Sequence, residues 1–310
     1  MLVIPVIDYI FTSTPMVAFN SLREIFNMRK VLLASTALVA MSVTAAQADI
    51  NISGSVSFEM ADDGGTGGTT FVDDSNLMIT GGRDMDWGKA TVAINITGGA
   101  AAAVAEDTYI DLSGTFGSVR MGDTDDALDR MDGVMPSNWD SEGIAQGTAG
   151  AADTSHAIGA DGDANISFIS NEIAGGARIY GSSTAEGTNN GMGVNYSAGP
   201  VTVMYQQGQN GTSEESMIAA EMSVSGLRLG FGTATTQATR AAAKVKYRAV
   251  GAQYSMGGAT LTATTQKQVD GESYSNVGVS YTVAPGMTVV LESGSQADQN
   301  GTYAHLNVTF

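Results

Sequence analysis

From Ile50 onward, apolar and small residues alternate with polar ones. Ile50, Ile52, Gly54, Val56, Phe58 and Met60 interleave with Asn51, Ser53, Ser55, Ser57 and Glu59. A period of two places each set on its own face of an extended strand. The pattern returns at Ala90, Val92, Ile94 and Ile96, then at Val201, Val203 and Tyr205, and again at Leu227, Leu229 and Phe231. It is repeated at Val277, Val279, Tyr281 and Val283, and it ends the chain as Ala304, Leu306, Val308 and Phe310. Read throughout, it predicts sixteen strands, at about 49–60, 71–82, 87–98, 106–113, 115–122, 164–171, 175–184, 190–198, 200–208, 215–225, 226–236, 240–256, 258–268, 273–284, 287–296 and 302–310. Most approach the roughly 9–11 residues that a tilted strand needs to cross a bilayer.

The connections sort by parity. After even strands they are tight, as at Gly114, Gly175-Gly176, Ser225-Gly226 and Gly257-Gly258; after odd strands they are mostly longer, at 61–70, 98–105, 123–163, 184–189, 209–214, 269–272 and 297–301. Short turns on one side and long loops on the other fit an all-β, sixteen-stranded antiparallel transmembrane barrel with both ends in the periplasm. Such a sheet must close, because an open edge in hydrocarbon leaves backbone groups unpaired at several kcal/mol each. A soluble sandwich or jelly roll alternates too, but it would bury the apolar rows against a second sheet. One strand reads poorly. Lys244, Lys246 and Arg248 share parity with Val250, Ala252 and Tyr254, so polarity changes face within 240–256. A bulge that turns these cations toward the lumen, or a subunit-contact surface, would each account for it. Trp87, Phe310, Tyr281 and Tyr247 fall near strand ends, with both tyrosines outward by parity, where an interfacial aromatic girdle belongs. Met60, Met121, Met192 and Met222 also face outward by parity.

The N-terminus has a different character. Met28-Arg29-Lys30, the mostly apolar run Val31–Val43 and Ala46-Gln47-Ala48 form a signal peptide over 28–48. Residues 1–27 resemble neither a second signal nor a domain, and translation is expected to start at Met28, with 1–27 an N-terminal extension mis-assigned to the chain. Cleavage after Ala48 leaves 49–310 as the mature barrel. Of the 14 basic and 32 acidic residues, the leader and extension take Arg23, Arg29, Lys30, Asp8 and Glu24, which leaves a mature charge of −19. That balance argues against nucleic-acid binding, which needs a basic footprint. The chain has no cysteine, so neither disulfides nor thiol chemistry are expected.

Two segments carry a family likeness. Asp111-Leu-Ser-Gly-Thr-Phe-Gly-Ser-Val-Arg-Met-Gly-Asp123 enters the long loop, and Val277-Gly-Val-Ser-Tyr281 through Leu306-Asn-Val-Thr-Phe310 ends on an aromatic. With these segments, 49–310 resembles the Rhodobacter-type general-diffusion porins of photosynthetic and related alphaproteobacteria. The resemblance implies a homotrimer in the outer membrane of a Gram-negative bacterium, in contact with its lipid. Each barrel would be a passive water-filled channel for small polar solutes and ions, narrowed by a third outer loop folded into the lumen. Related porins place arginines on the second strand, where this chain has Asp74 and Asn76.

The loop 123–163 holds ten carboxylates, among them Asp123, Asp125, Asp126, Asp129 and Asp132, against the single cation Arg130. Folded inward, these five would form the acidic side of a pore constriction. Alternation puts Lys89, Arg120, Arg178 and Arg228 on the lumen wall, together with Glu59, Asp111, Glu221 and Glu292. Opposed charges across a narrow aqueous gap make a transverse field, and rings of charge set ion preference; the acidic excess predicts preference for cations. No cofactor is expected. Asp123, Asp125 and Asp126 could hold a structural Ca²⁺ irregularly, but not as an EF-hand, because Leu128 and Val134 stand where that motif needs Gly and Glu. Catalysis is not expected: the only histidines are His156 and His305, and no serine has a readable spacing to either. Two other readings remain, a substrate-specific porin and a structural or adhesive barrel with an occluded lumen.

Overall fold

The computed structural model describes residues 49–62, 69–99, 104–139, 163–173, 175–269, 271, 273–296 and 299–310. The extension and leader expected at 1–48 lie outside them. The chain forms β1 (Asp49–Asp62), β2 (Thr70–Met85), β3 (Gly88–Gly99), β4 (Val104–Gly114) and β5 (Gly117–Asp125). After the long loop come β6 (Asp163–Ser170), β7 (Ala177–Ser183), β8 (Asn189–Ala198), β9 (Val201–Asn210), β10 (Ser213–Val224) and β11 (Leu227–Gln237). The last are β12 (Val245–Met256), β13 (Ala259–Gln268), β14 (Ser273–Ala284), β15 (Met287–Gln296) and β16 (Gln299–Thr309). Each pairs antiparallel with its neighbours in sequence, and β1 pairs with β16 to close a sixteen-stranded barrel.

Exposure decides which face is which. Phe58 (56%), Met192 (60%) and Val277 (63%) are bared on the outside, while Gln206 (0%) and Asn276 (6%) are covered on the inside. A protein folded in water does the reverse. An apolar exterior around a polar lumen is the arrangement of a membrane barrel, and it removes the sandwich alternative.

Six of the seven turns that follow even-numbered strands need only two residues. At Ser225-Gly226 both residues have positive φ, 50° and 82°, the backbone of a hairpin turn whose twist matches the flanking strands. Most outer connections are shorter than predicted, two of them down to two residues. β9 and β10 meet through Gly211-Thr212, and only residues 297–298 separate β15 from β16. Alternation runs further up these strands than their polar composition suggested.

β12 starts at Val245, not at 240, and its pairing with β11 and β13 is unbroken. There is no bulge, so Lys246 and Arg248 share the exterior face with Val250 and Tyr254, whereas Tyr247 lies opposite Ala234 on the lumen face. The lumen placement of these cations and the outward placement of Tyr247 are both corrected. The polarity change is a property of the outer surface.

Candidate pore constriction

The site is rooted in the β4–β5 hairpin, which places Asp111 directly across from Arg120 on the lumen face. Arg120 Nε donates to Asp111 Oδ2 at 3.3 Å, and Ser118 Oγ donates to Asp111 Oδ1 at 2.7 Å. The Arg120 guanidinium also lies 3.8 Å over the Tyr109 ring, a cation–π arrangement, and donates to Thr124 Oγ1 at 3.3 Å. A register shift between Met121 and Thr124 follows. Gly122, at φ 136°, lies so close to the backbone of Thr108 that a side chain there would collide with it. Such a bulge re-aims the end of a strand, here just before the long loop departs.

Asp126 turns the chain. Its Oδ1 accepts the backbone N–H groups of Leu128 (2.7 Å) and Asp129 (2.9 Å), leading into a 3-10 turn at Asp129–Met131. Burial raises the carboxyl pKa above its ordinary value; the two N–H bonds oppose the shift without cancelling it. Arg130 reaches Ser167 on β6, donating at 3.0 Å. Burial and the like charge of Arg120 both lower its pKa, although an arginine keeps its proton at physiological pH.

Beyond this turn the loop follows the inner wall as far as β12, and glycines make room for it. Leu128 packs on Gly191 of β8 and Gly208 of β9, and Met135 packs on Gly232 of β11. Pro136, which opens a second 3-10 turn at Pro136–Asn138, and Trp139 cover Gly230 and Gly251. A Cβ added at Gly230 would stand 2.5 Å from Trp139 Cη2, and one at Gly251 would stand 2.9 Å from Trp139 Cε3. Leu128 and Met135 are fully buried. Arg228 on β11 clamps the far end. Its Nε donates to Glu221 Oε2 at 2.6 Å, a second nitrogen donates to the Gly133 carbonyl, and its guanidinium lies 4.1 Å over the Trp139 ring.

The structure therefore gathers Arg120, Asp111, Arg228, Asp126, Asp129 and Asp132 on or beside one strap, with Asp132 closing the first 3-10 turn. Asp123 is exposed at the β5 bulge, and Asp125 ends β5 opposite Asp163. The other wall residues lie elsewhere. Glu59 faces the lumen on β1 across from His305, hydrogen-bonded to Tyr303. Lys89 lies on β3 opposite Ser113. Arg178, at the periplasmic end of β7, pairs with Glu172 at 3.7 Å with both side chains half exposed, where water screens the attraction. Among the described residues, none of these three forms a hydrogen bond or ion pair with 126–139. Nor do three carboxylate or imidazole groups gather there as a metal-holding cluster. His156 and the loop beyond Trp139 lie outside the described residues. The anchors Leu128, Met135, Pro136 and Trp139 and the glycines beneath them were not singled out from sequence. A readable signal existed: Gly191, Gly193, Gly208, Gly230, Gly232 and Gly251 all fall at lumen-facing positions.

A family model described as Gram-negative porin matches residues 34–301. The chain is a Gram-negative porin. It sits in the outer membrane and forms a channel there. No curated protein matches its sequence. Among solved structures, the porin is similar in fold to a Rhodopseudomonas blastica porin variant, with TM-score 0.64 and 17% identity over 84% of this chain and 100% of that one. Salmonella typhi OmpF in complex with daunomycin gives TM-score 0.67 and 12% identity over 84% and 97%. A loop-deletion variant of OmpT, an outer-membrane protein of Vibrio cholerae, gives 0.66 and 11% over 85% and 99%.

Proposed function

We propose that 126–139 is the constriction of this porin, and that the opening it leaves passes small hydrophilic solutes and ions passively, with preference for cations and without a catalytic step or cofactor. The observation that carries the reading is the strap itself: a loop seated on lumen-facing glycines and clamped by Arg228 takes up cross-section inside the barrel. The charge on it supports the sign of the preference. Arg120 and Arg228 are each ion-paired to a wall carboxylate, which offsets their fields locally, while Asp129 remains exposed on the loop. In the same reading residues 28–48 are the leader removed on export, and three copies associate, as the resemblance implies.

The test is the zero-current potential of purified 49–310 in planar bilayers under a salt gradient. The wild type is expected to give the cation-selective sign, and Asp129→Asn/Asp132→Asn a potential closer to zero with conductance retained. An anion-selective wild type would end the charge argument; a conductance unchanged on replacing 128–139 by a short Gly-Ser linker would end the constriction argument.

A further inference from the structure

Five of the eleven basic residues of 49–310 fall between Arg240 and Lys267, at the outer ends of β11, β12 and β13. Arg240 is spoken for, since its Nε donates to Glu214 at 2.8 Å. Lys246, Arg248 and Lys267 are exposed on the exterior face, and among the described residues none is in an ion pair. Arg248 and Lys267 are direct cross-strand partners. Like charges set opposite each other in a sheet destabilise it, so this placement calls for an anion between them.

Position identifies the anion. Arg248 is the fourth residue of β12, about 10 Å along the strand from its outer end. Two residues further the exterior turns apolar, with Phe231 paired to Val250 and then Leu261 to Tyr254. Hydroxyls flank the cations above this band: Thr233 lies opposite Arg248, Thr235 opposite Lys246, and Thr265 opposite Val250. Cations and hydroxyls over an apolar strip match a phosphorylated headgroup over acyl chains. A partner subunit fits less well. The exposed exterior acids Asp73 and Asp123 lie on β2 and β5, across the barrel, and patches on opposite sides of a subunit build open chains, not a closed ring.

We propose that Lys246, Arg248 and Lys267 form a binding site for the phosphate groups of an outer-leaflet lipid, with its acyl chains lying along Phe231, Val250 and Leu261. The test is native mass spectrometry of the porin in detergent, titrated with bis-phosphorylated lipid A, with the same lipid after phosphatase treatment, and with inorganic phosphate. Lys246→Ser/Arg248→Ser/Lys267→Ser should bind the phosphorylated lipid at least about tenfold more weakly than wild type, because each cation beside an anionic membrane surface contributes measurably. The charge-conserving Lys246→Arg/Arg248→Lys/Lys267→Arg should bind like wild type. Unchanged single-channel conductance of the triple serine variant establishes that its barrel is folded. Equal affinity of wild type and triple serine variant, or equal affinity for the dephosphorylated lipid, overturns the proposal. Saturation by inorganic phosphate alone overturns the lipid as its source. Loss of oligomer with lipid affinity intact reassigns the patch to a subunit contact and overturns it as well.

Discussion

Asp126 shows how a residue that reads as a pore charge can act first as a scaffold. Its oxygen holds the Leu128 and Asp129 N–H groups, so the negative charge is partly spent on backbone. Because burial raises its pKa, the folded loop favours the protonated form. That contribution is fully present below the ordinary value of 3.8 and is lost as pH rises through the raised one. Asp126→Asn keeps the acceptor and removes the charge, so it should hold the strap as well as wild type at low pH and better near neutrality. Asp126→Ala should loosen it by about 1 kcal/mol, the usual cost of a lost helix-capping oxygen. Protection of the Leu128 and Asp129 amides from hydrogen exchange, measured against pH, reads both; protection in the Asn variant that falls as pH rises, as in wild type, would count against this account. The acidity of the loop was legible in the sequence, but its division between scaffold and pore was not. That division depends on which carboxylate meets N–H groups two and three residues ahead, and five closely spaced acids look alike in a string of letters.

Strands were far more legible than the strap. Alternation found all sixteen strands, and the faces of all but β12, because a half-buried or lipid-facing strand has only two ways to point. Hairpin geometry extends this to some contacts: a two-residue turn at Thr115-Phe116 sets Asp111 opposite Arg120. The Glu221–Arg228 pair is harder to foresee, since Glu221 lies opposite Gly230 and Arg228 opposite Ser223, so the pair forms on a diagonal. β12 misled because a single face changes from charged to apolar along its length, and pattern reading prefers a change of face to a change of surroundings. The unbroken pairing makes a sharp claim. In a cysteine-free protein, a fluorophore attached to a cysteine at Lys246 should be quenched by lipid-borne spin labels, and its attachment should leave conductance unaltered. A cysteine at Tyr247 should react with water-soluble methanethiosulfonates and change single-channel current. Lumen reactivity at 246 would contradict the register.

At the scale of the whole barrel, closure is the step on which the inside and outside depend, and one seam completes it. Gly54 N–H donates to the Phe310 carbonyl at 3.1 Å, and Phe310 N–H donates to the Gly54 carbonyl at 2.9 Å, joining β1 to the residue that follows β16. The bare backbone of Gly54 also accommodates the terminal ring. An added Cβ would meet Phe310 Cζ at 2.7 Å and the Asn76 carbonyl oxygen at 2.6 Å. Gly81 offers an internal comparison, because it too faces outward, opposite Val92, and a Cβ there would meet nothing within 4 Å. Gly54→Val should therefore destabilise the barrel by about 1–3 kcal/mol, as overpacking does elsewhere, whereas Gly81→Val, adding a β-branched side chain on a lipid-facing strand, should be neutral or stabilising. Urea unfolding in lipid vesicles, followed by the heat-modifiable shift on gels, separates them. Equal midpoints for the two variants would mean that the seam tolerates a side chain, and that closure does not depend on the terminal phenylalanine lying over a glycine.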